Sequence, residues 1–318
     1  MAPLAVTMLF GRVTRAQSSD PGASFLLVPF DPRSVALGGA GVADPLGTAA
    51  LFVNPAAFAR LTGRLVDVDY AVDQQSSRLA ASFIASSRVL GAFGASVYYD
   101  NLGTQELTDD NGVVTGNLAV ADYAYAASYA VGFTSRFTAG VTAKLVQYRF
   151  DCTGACSPLA RSHPSTGAID AGAQYDLGAG KRVHVGAVVR NMGLRLQFKD
   201  RAQADPLPTQ VAVGVGWDAP NVERYLPETS LRLAADATRG LGVPLGETVH
   251  VGAEGTYRKT VSVRVGYAYY TRATGYAGLA AGFGVSSTRL TLDVGRQLTT
   301  NALFADKPPT YVGLRYSF

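Results

Sequence analysis

The chain has 318 residues, 47% of them hydrophobic and only 16% charged, with 35 Gly, 16 Tyr and 14 Phe. That charge content is below the roughly 25% of an ordinary globular protein, and the apolar content excludes a disordered chain. Lys+Arg 28 against Asp+Glu 24, with no basic block, disfavours a nucleic-acid partner, and no run approaches the ~18 consecutive apolar residues of a membrane-crossing helix.

Residues 1–17 read as a secretory signal peptide or its remnant: an apolar run from Ala2 to Phe10, then Arg12, Arg15 and Ala16-Gln17. A basic n-region is missing, and a frayed N-terminus is the alternative. Residues 18–63 form a second unit, an N-terminal hatch, of which 31–63 shows no alternation. Its Gly38, Gly39 and Gly41 permit close backbone packing. In Asn54-Pro55-Ala56, Asn54 suits an N-cap and Pro55 a first helical position, which predicts a short helix there. Gly39-Ala40-Gly41 is not a dinucleotide loop, since position 44 is Asp and no βαβ unit follows.

From residue 64 to 318 apolar residues fall at every second position in fourteen segments, predicted at 64–72, 77–86, 91–101, 118–132, 136–150, 166–177, 182–193, 208–218, 229–238, 247–257, 260–271, 277–287, 289–298 and 310–318. Each is near the length of a tilted spanning strand. Strands in lipid must close into a barrel, because an open edge leaves backbone groups unpaired. Connections sort by parity, as in barrels with both termini in the periplasm. Long outer ones fall at 102–117, 151–165, 194–207, 239–246 and 299–309; tight inner ones at Thr134-Ser135, Ala179-Gly180-Lys181, Arg258-Lys259 and Ser287-Thr288. The inner Ala219–Glu228 is longer than this pattern asks, and the outer turns near 73–76 and 272–276 are shorter. The fold class is thus all-β, a 14-stranded antiparallel transmembrane barrel with a short helix-bearing hatch.

Within strands the charged face is the lumen. Val183, Val185, Ala187 and Val189 share one face, His184, Gly186, Val188 and Arg190 the other. The inward set is Asp67, Asp69, Arg78, Asp122, Lys144, Asp170, His184, Arg190, Arg232, Asp236, Glu254, Arg264, Arg289, Asp293 and Arg315. Mixed signs argue against an ion-selective pore and for a structural polar network, with Glu254/Arg264 and Asp293/Arg315 as cross-strand pairs; a polar permeation path is the alternative. His184 and His250 face inward without a Ser-centred motif, so no enzyme is indicated. Tyr99, Trp217, Tyr267, Tyr269 and Tyr270 suit an interfacial girdle on the apolar face. Cys152 and Cys156, the only cysteines, sit in an outer loop with just His163 as a further ligand. A loop disulfide is favoured over a metal site, and a pair of free thiols is the remaining alternative. The final strand ends Tyr316-Ser317-Phe318, which resembles the C-terminal signal read by the barrel-assembly machinery.

The chain resembles the FadL superfamily of outer-membrane proteins, and most its PorV/PorQ branch. The matching pieces are Arg33-Ser34-Val35-Ala36-Leu37-Gly38-Gly39-Ala40, Asn54-Pro55-Ala56, Arg190-Asn191-Met192-Gly193 and Pro206-Leu207-Pro208-Thr209; Val53 stands where branch members often carry an aromatic. The resemblance implies a bacterial outer-membrane barrel filled by its hatch. It also implies passive transport of hydrophobic or amphipathic small molecules, with a type IX secretion accessory that receives cargo or attachment partners as the alternative. The expected partners are the lipid bilayer, the barrel-assembly machinery, and either a hydrophobic small molecule or secretion-system proteins. No cofactor, metal or nucleic acid is expected.

Overall fold

The computed structural model describes residues 21–44, 47–72, 76–87, 89–156, 163–178, 180, 182–197, 204–271, 278–299 and 308–318. The expected leader at 1–17 lies outside the described residues, as do parts of the connections expected at 73–76, 151–165, 179–181, 194–207, 272–276 and 299–309.

The strands in chain order are β1 (Arg64–Val72), β2 (Ser77–Ser87), β3 (Gly91–Thr108), β4 (Val114–Gly132), β5 (Phe137–Gly154), β6 (Ser165–Leu177), β7 (Val183–Gly193), β8 (Leu196–Gln197), β9 (Ala204–Asp205), β10 (Gln210–Asp218), β11 (Thr229–Gly240), β12 (Glu247–Tyr257), β13 (Val261–Tyr270), β14 (Gly278–Ser286), β15 (Leu290–Gln297) and β16 (Thr310–Ser317). All but β8 and β9 pair with their neighbours around a closed antiparallel barrel, and β1 meets β16 from Leu65↔Ser317 to Val72↔Thr310. The fourteen predicted segments are the fourteen barrel strands.

Two-residue periodicity makes the wall. In β1, Leu65, Asp67, Asp69 and Ala71 are buried while Val68, Tyr70 and Val72 are exposed. At about 3.3 Å per residue this strand is about 30 Å long, which at a tilt of roughly 40° matches the ~25 Å apolar band of an outer-membrane barrel. The exposed valines, leucines and aromatics therefore face lipid, and the core lies inside the barrel. Trp217, Tyr267 and Tyr269 point outward. Tyr270 does not: two residues set the strand period, so it shares the inward face of Ala268 and stacks edge-on against His250, ring centroids 6.0 Å apart.

Residues 21–44 and 47–63 lie inside the lumen. A 3-10 turn at Ser24–Leu27 leads to α1 (Pro32–Ala36), α2 (Ala50–Val53) and a 3-10 helix at Pro55–Arg60. Asn54 caps the last through its side chain, accepting from the Ala56 N–H, so the predicted helix start is present but the helix is 3-10. Asp31 caps α1 in the same way, accepting from the Ser34 N–H at 2.6 Å ahead of Pro32 at the first position. Gly38 and Gly39 leave α1 with φ of 68° and 88°, a left-handed exit that lays the backbone against β13. Leu37, Leu51 and Phe58 are wholly enclosed.

On the outer side β3, β4 and β5 run longer than predicted, and the expected loop 102–117 is mostly strand with a turn at 109–113. In that turn Asp109 accepts from the Val113 and Asn111 N–H groups, which holds its carboxyl below the usual carboxylate range. β2 covers β3 only to Asn101↔Ser77, and β6 covers β5 only to Gln147↔Ser165. Beyond those pairs the three strands stand as a flap whose polarity is inverted. Leu107, Leu118, Val120 and Phe150 continue the inward face, whereas Glu106, Asn117, Arg149 and Asp151 face out and are exposed. A bulge between Asn101 and Thr104 keeps β3 in step. A polar outward face belongs in water, so the flap stands above the membrane. Cys152 and Cys156 are disulfide-bonded at its tip.

Candidate functional site

Charged side chains link the hatch to the wall in one continuous chain. Arg60, at the end of the last 3-10 helix, pairs with Asp176 on β6. Asp176 meets His184 Nδ1 on β7 at 2.7 Å, and His184 Nε2 meets Asp218 on β10 at 3.1 Å. Asp218 holds Arg232 on β11 at 2.6 Å, and Arg232 reaches hatch Asp44 at 2.7 Å. Asp44 binds Arg33 of α1 at 2.7 Å, and Arg33 binds Glu254 on β12 at 2.8 Å. Glu254 to Arg264 is 2.5 Å, Arg264 to Asp293 2.6 Å, Asp293 to Arg315 3.9 Å and Arg315 to Asp67 2.9 Å. Asp67 finally accepts from the Thr48 hydroxyl, back in the hatch.

Backbone contacts reinforce these pairs. Asp236 accepts from the N–H groups of Gly41 and Val42 at 2.6 and 2.9 Å, while Asn54 and Gln174 both donate to the Val42 carbonyl. His250 Nδ1 lies 2.6 Å from the Gly38 carbonyl. Removing one member of a buried ion pair leaves its partner uncompensated and costs about 3–5 kcal/mol. A hatch held at so many points is a plug fixed in place.

Of the predicted inward residues, Asp67, His184, Arg232, Glu254, Arg264, Asp293 and Arg315 join this chain and Asp236 braces it. Others lie elsewhere: Arg78 pairs with Asp100 at 3.5 Å, Arg190 donates to Gln210, and Asp122 is buried on β4. Lys144 sits apart, on Asp170 at 2.6 Å and Asn191 at 2.9 Å. Asp69 is buried beside this chain, its Oδ1 without a hydrogen bond among the described residues. Arg289 was expected inward but lies exposed in the turn between β14 and β15, because β15 begins only at Leu290. Sequence reading missed Arg33, Asp44, Thr48, Arg60, Asp176 and Asp218 as members. Asp176 and Asp218 carry the inward parity of their strands and could have been found; the hatch residues follow no periodicity.

Above the hatch, a cavity of about 590 Å³ opens at the outer end. The hatch supplies an apolar side, including Phe25, Leu27, Phe30 and Phe52; the wall supplies the charged Arg78, Asp100, Asp122 and Arg190 and neutral groups such as Gln210 and His250. Phe30 packs on Phe52 and Tyr98 with ring centroids 4.0 and 4.5 Å apart. A second, shallower depression of about 740 Å³ lies on the lipid-facing side of β2–β5, floored by Ala81, Ala95, Ala127 and Ala143 and bordered by Lys144.

A closed antiparallel barrel with an apolar outer band, a charged lumen and an N-terminal segment packed inside it defines a barrel of the bacterial outer membrane. The family profile described as "Type IX secretion system protein PorV" matches residues 14–225, and the chain belongs to that family. Among solved structures it is similar to the toluene transporter TbuX of Ralstonia pickettii, at 17% identity over 92% of this chain and 100% of that one, TM-score 0.58. It is also similar to the toluene transporter TodX of Pseudomonas putida, at 13% identity over 90% and 96%, TM-score 0.60. A Pseudomonas aeruginosa FadL homologue matches at 14% identity over 91% and 97%, TM-score 0.52. At these identities the likeness is one of fold, the FadL-type barrel. No curated protein matches the chain.

Proposed function

We propose that this protein is an accessory of type IX secretion, a plugged barrel that presents its outer side to secreted cargo or to attachment partners. The observation that carries this reading is the family match, which spans the hatch and the strands through β10. The locked lumen supports it, since a barrel that serves as a docking base needs no open channel. Affinity capture of the tagged protein from native outer membranes, followed by mass spectrometry, tests it. Large secretion components and secreted cargo are expected; recovery of lipid and assembly proteins alone overturns the reading.

A second reading, passive transport of a hydrophobic or amphipathic small molecule, is favoured by the apolar side of the mouth cavity. In either case Gly38, Gly39, Gly41, Asn54, Pro55 and Ala56 are assigned to the hatch gate, Tyr316 and Phe318 to the signal read at assembly, and residues 1–17 to the leader.

A further inference from the structure

The inner end of the barrel, where the chain enters β1 and leaves β16, carries a ring of cations. Arg136, Arg182, Arg224, Lys259 and Arg289 lie in the connections that follow β4, β6, β10, β12 and β14, and Arg64 opens β1. Among the described residues none of these cations has a carboxylate within ion-pairing distance. The carboxylates at this end are engaged by other groups: Glu228 by Arg258, Asp176 by Arg60 and His184, Asp218 by His184 and Arg232. Of the described carboxylates here, only Glu223, beside Arg224, has no ion pair.

A second observation marks the height of the ring in the membrane. Tyr129, Tyr175, Trp217, Tyr257 and Tyr316 face out near the inner ends of β4, β6, β10, β12 and β16. Aromatics in such positions settle at the level of the lipid head groups. The turns follow within a few residues, and the long stem of a Lys or Arg lies along apolar surface while its charged head stays in the wet layer. Arg258 shows the arrangement, with its guanidinium 5.1 Å from the centre of the Tyr257 ring. The outer end contrasts with this: Asp109 and Asp110 are exposed in its β3–β4 turn, and Arg149 and Arg239 are each answered by a carboxylate.

The spacing of the cations selects the partner. A protein docking from the periplasm covers one arc of the rim, whereas these charges recur in one inner connection after another around the barrel. Lipid is what surrounds a barrel on every side.

We propose that the ring binds the phosphodiester head groups of anionic phospholipids in the periplasmic leaflet and gathers them as a selective annulus. The proposal concerns the wall and not the lumen, so it stands apart from both readings of function.

The test strips lipid from the full chain in neutral detergent, offers equal amounts of phosphatidylglycerol and phosphatidylcholine with the same acyl chains, and counts the retained lipid by native mass spectrometry. Wild type should retain the anionic lipid about fivefold or more over the zwitterionic one, the scale set by one cation near a charged surface. Salt at about 1 M should bring the ratio near parity, because the screening length falls to about 3 Å. Combined Arg64→Gln, Arg224→Gln, Lys259→Gln and Arg289→Gln should hold it within about twofold of parity. Arg296→Gln, an equal loss of one charge on the exposed outer half of β15, should leave it unchanged. Inorganic phosphate added at constant ionic strength should displace no lipid. Parity in wild type overturns the proposal and assigns the ring to an acidic periplasmic protein; displacement by phosphate overturns it in favour of a site for free anions. A preference that survives the fourfold change, or that Arg296→Gln abolishes, overturns it as well. Should the fourfold variant fail to assemble, Lys259→Gln with Arg289→Gln, both in exposed turns, decides: a lowered ratio is expected, and an unchanged one refutes the ring.

Discussion

Arg33 of the hatch grips Glu254 of β12 with two hydrogen bonds, Nε to Oε2 at 2.8 Å and Nη2 to Oε1 at 3.0 Å, across 221 residues of sequence. Glu254 also takes Arg264, so one carboxylate joins α1 to two strands. Glu254→Ala leaves Arg33 only Asp44 and Arg264 only Asp293, and the excess buried positive charge should destabilise the hatched state by about 3–5 kcal/mol. The expected readouts are greater solute leakage and an earlier thermal loss of the compact gel band. Unchanged leakage would mean that Asp44 alone holds Arg33.

Deleting residues 31–63 should leave a barrel that still folds but conducts more in planar bilayers, because the wall ladder is closed without them. Asn54→Ala with Pro55→Gly removes only a cap and a first-turn preference, and should loosen the hatch more mildly, by roughly 1–2 kcal/mol. Equal conductance of the deletion and the parent would show that the hatch does not close the lumen.

Gly266 faces Leu37 and Gly38 so closely that an added Cβ would lie 2.0 Å from the Leu37 carbonyl carbon and 2.1 Å from the Gly38 nitrogen. Gly266→Ala should therefore displace α1 while the strand ladder survives. Faster hydrogen exchange confined to residues near Leu37 is the measurement. Gly255→Ala on β12, with open space at its Cβ, serves as the neutral comparison.

Alkylation of denatured protein should add mass at Cys152 and Cys156 only after reduction. Reduction should loosen only the turn after β5 without opening the barrel, since Cys152 stays laddered to Leu118 on β4 and the bond lies beyond the β5–β6 ladder. Labelling of both thiols without reductant would contradict the pairing.

The protein should fractionate with outer membranes and migrate differently on gels when unheated. Deleting Phe318, exposed at the end of the chain and edge-on to Tyr316 with ring centroids 4.9 Å apart, should lower the yield of assembled barrel. Equal yields with and without Phe318 would remove its part in assembly.

The wall was legible because one face of each strand meets lipid and the other the lumen, a contrast that writes itself into every second residue, as in Val261, Val263 and Val265 against Ser262, Arg264 and Gly266. The same signal predicted which residues face inward, and Arg289 failed only where a strand began one residue later. The hatch was legible at its caps and glycines but not in its ion pairs. Arg33, Asp44 and Arg60 act through contacts separated by up to 221 residues, as for Arg33 and Glu254, and short helices enclosed on all sides have no polar face to set a period. The outer ends of β3 to β5 were hidden because there the contrast reverses sign, so polar residues outside read as loop.

That reversal gives the molecule a front and a back. Among the described residues, β3, β4 and β5 run on past the ends of their neighbours β2 and β6, so this arc of the rim stands above the membrane. A newcomer diffusing in the plane of the membrane meets a different silhouette from each compass bearing, and one gliding in opposite the tall arc sees the apolar lining of that arc as a backstop above the mouth. Orientation about the membrane normal, which a round barrel alone would leave indifferent, thus becomes part of how anything approaches this protein.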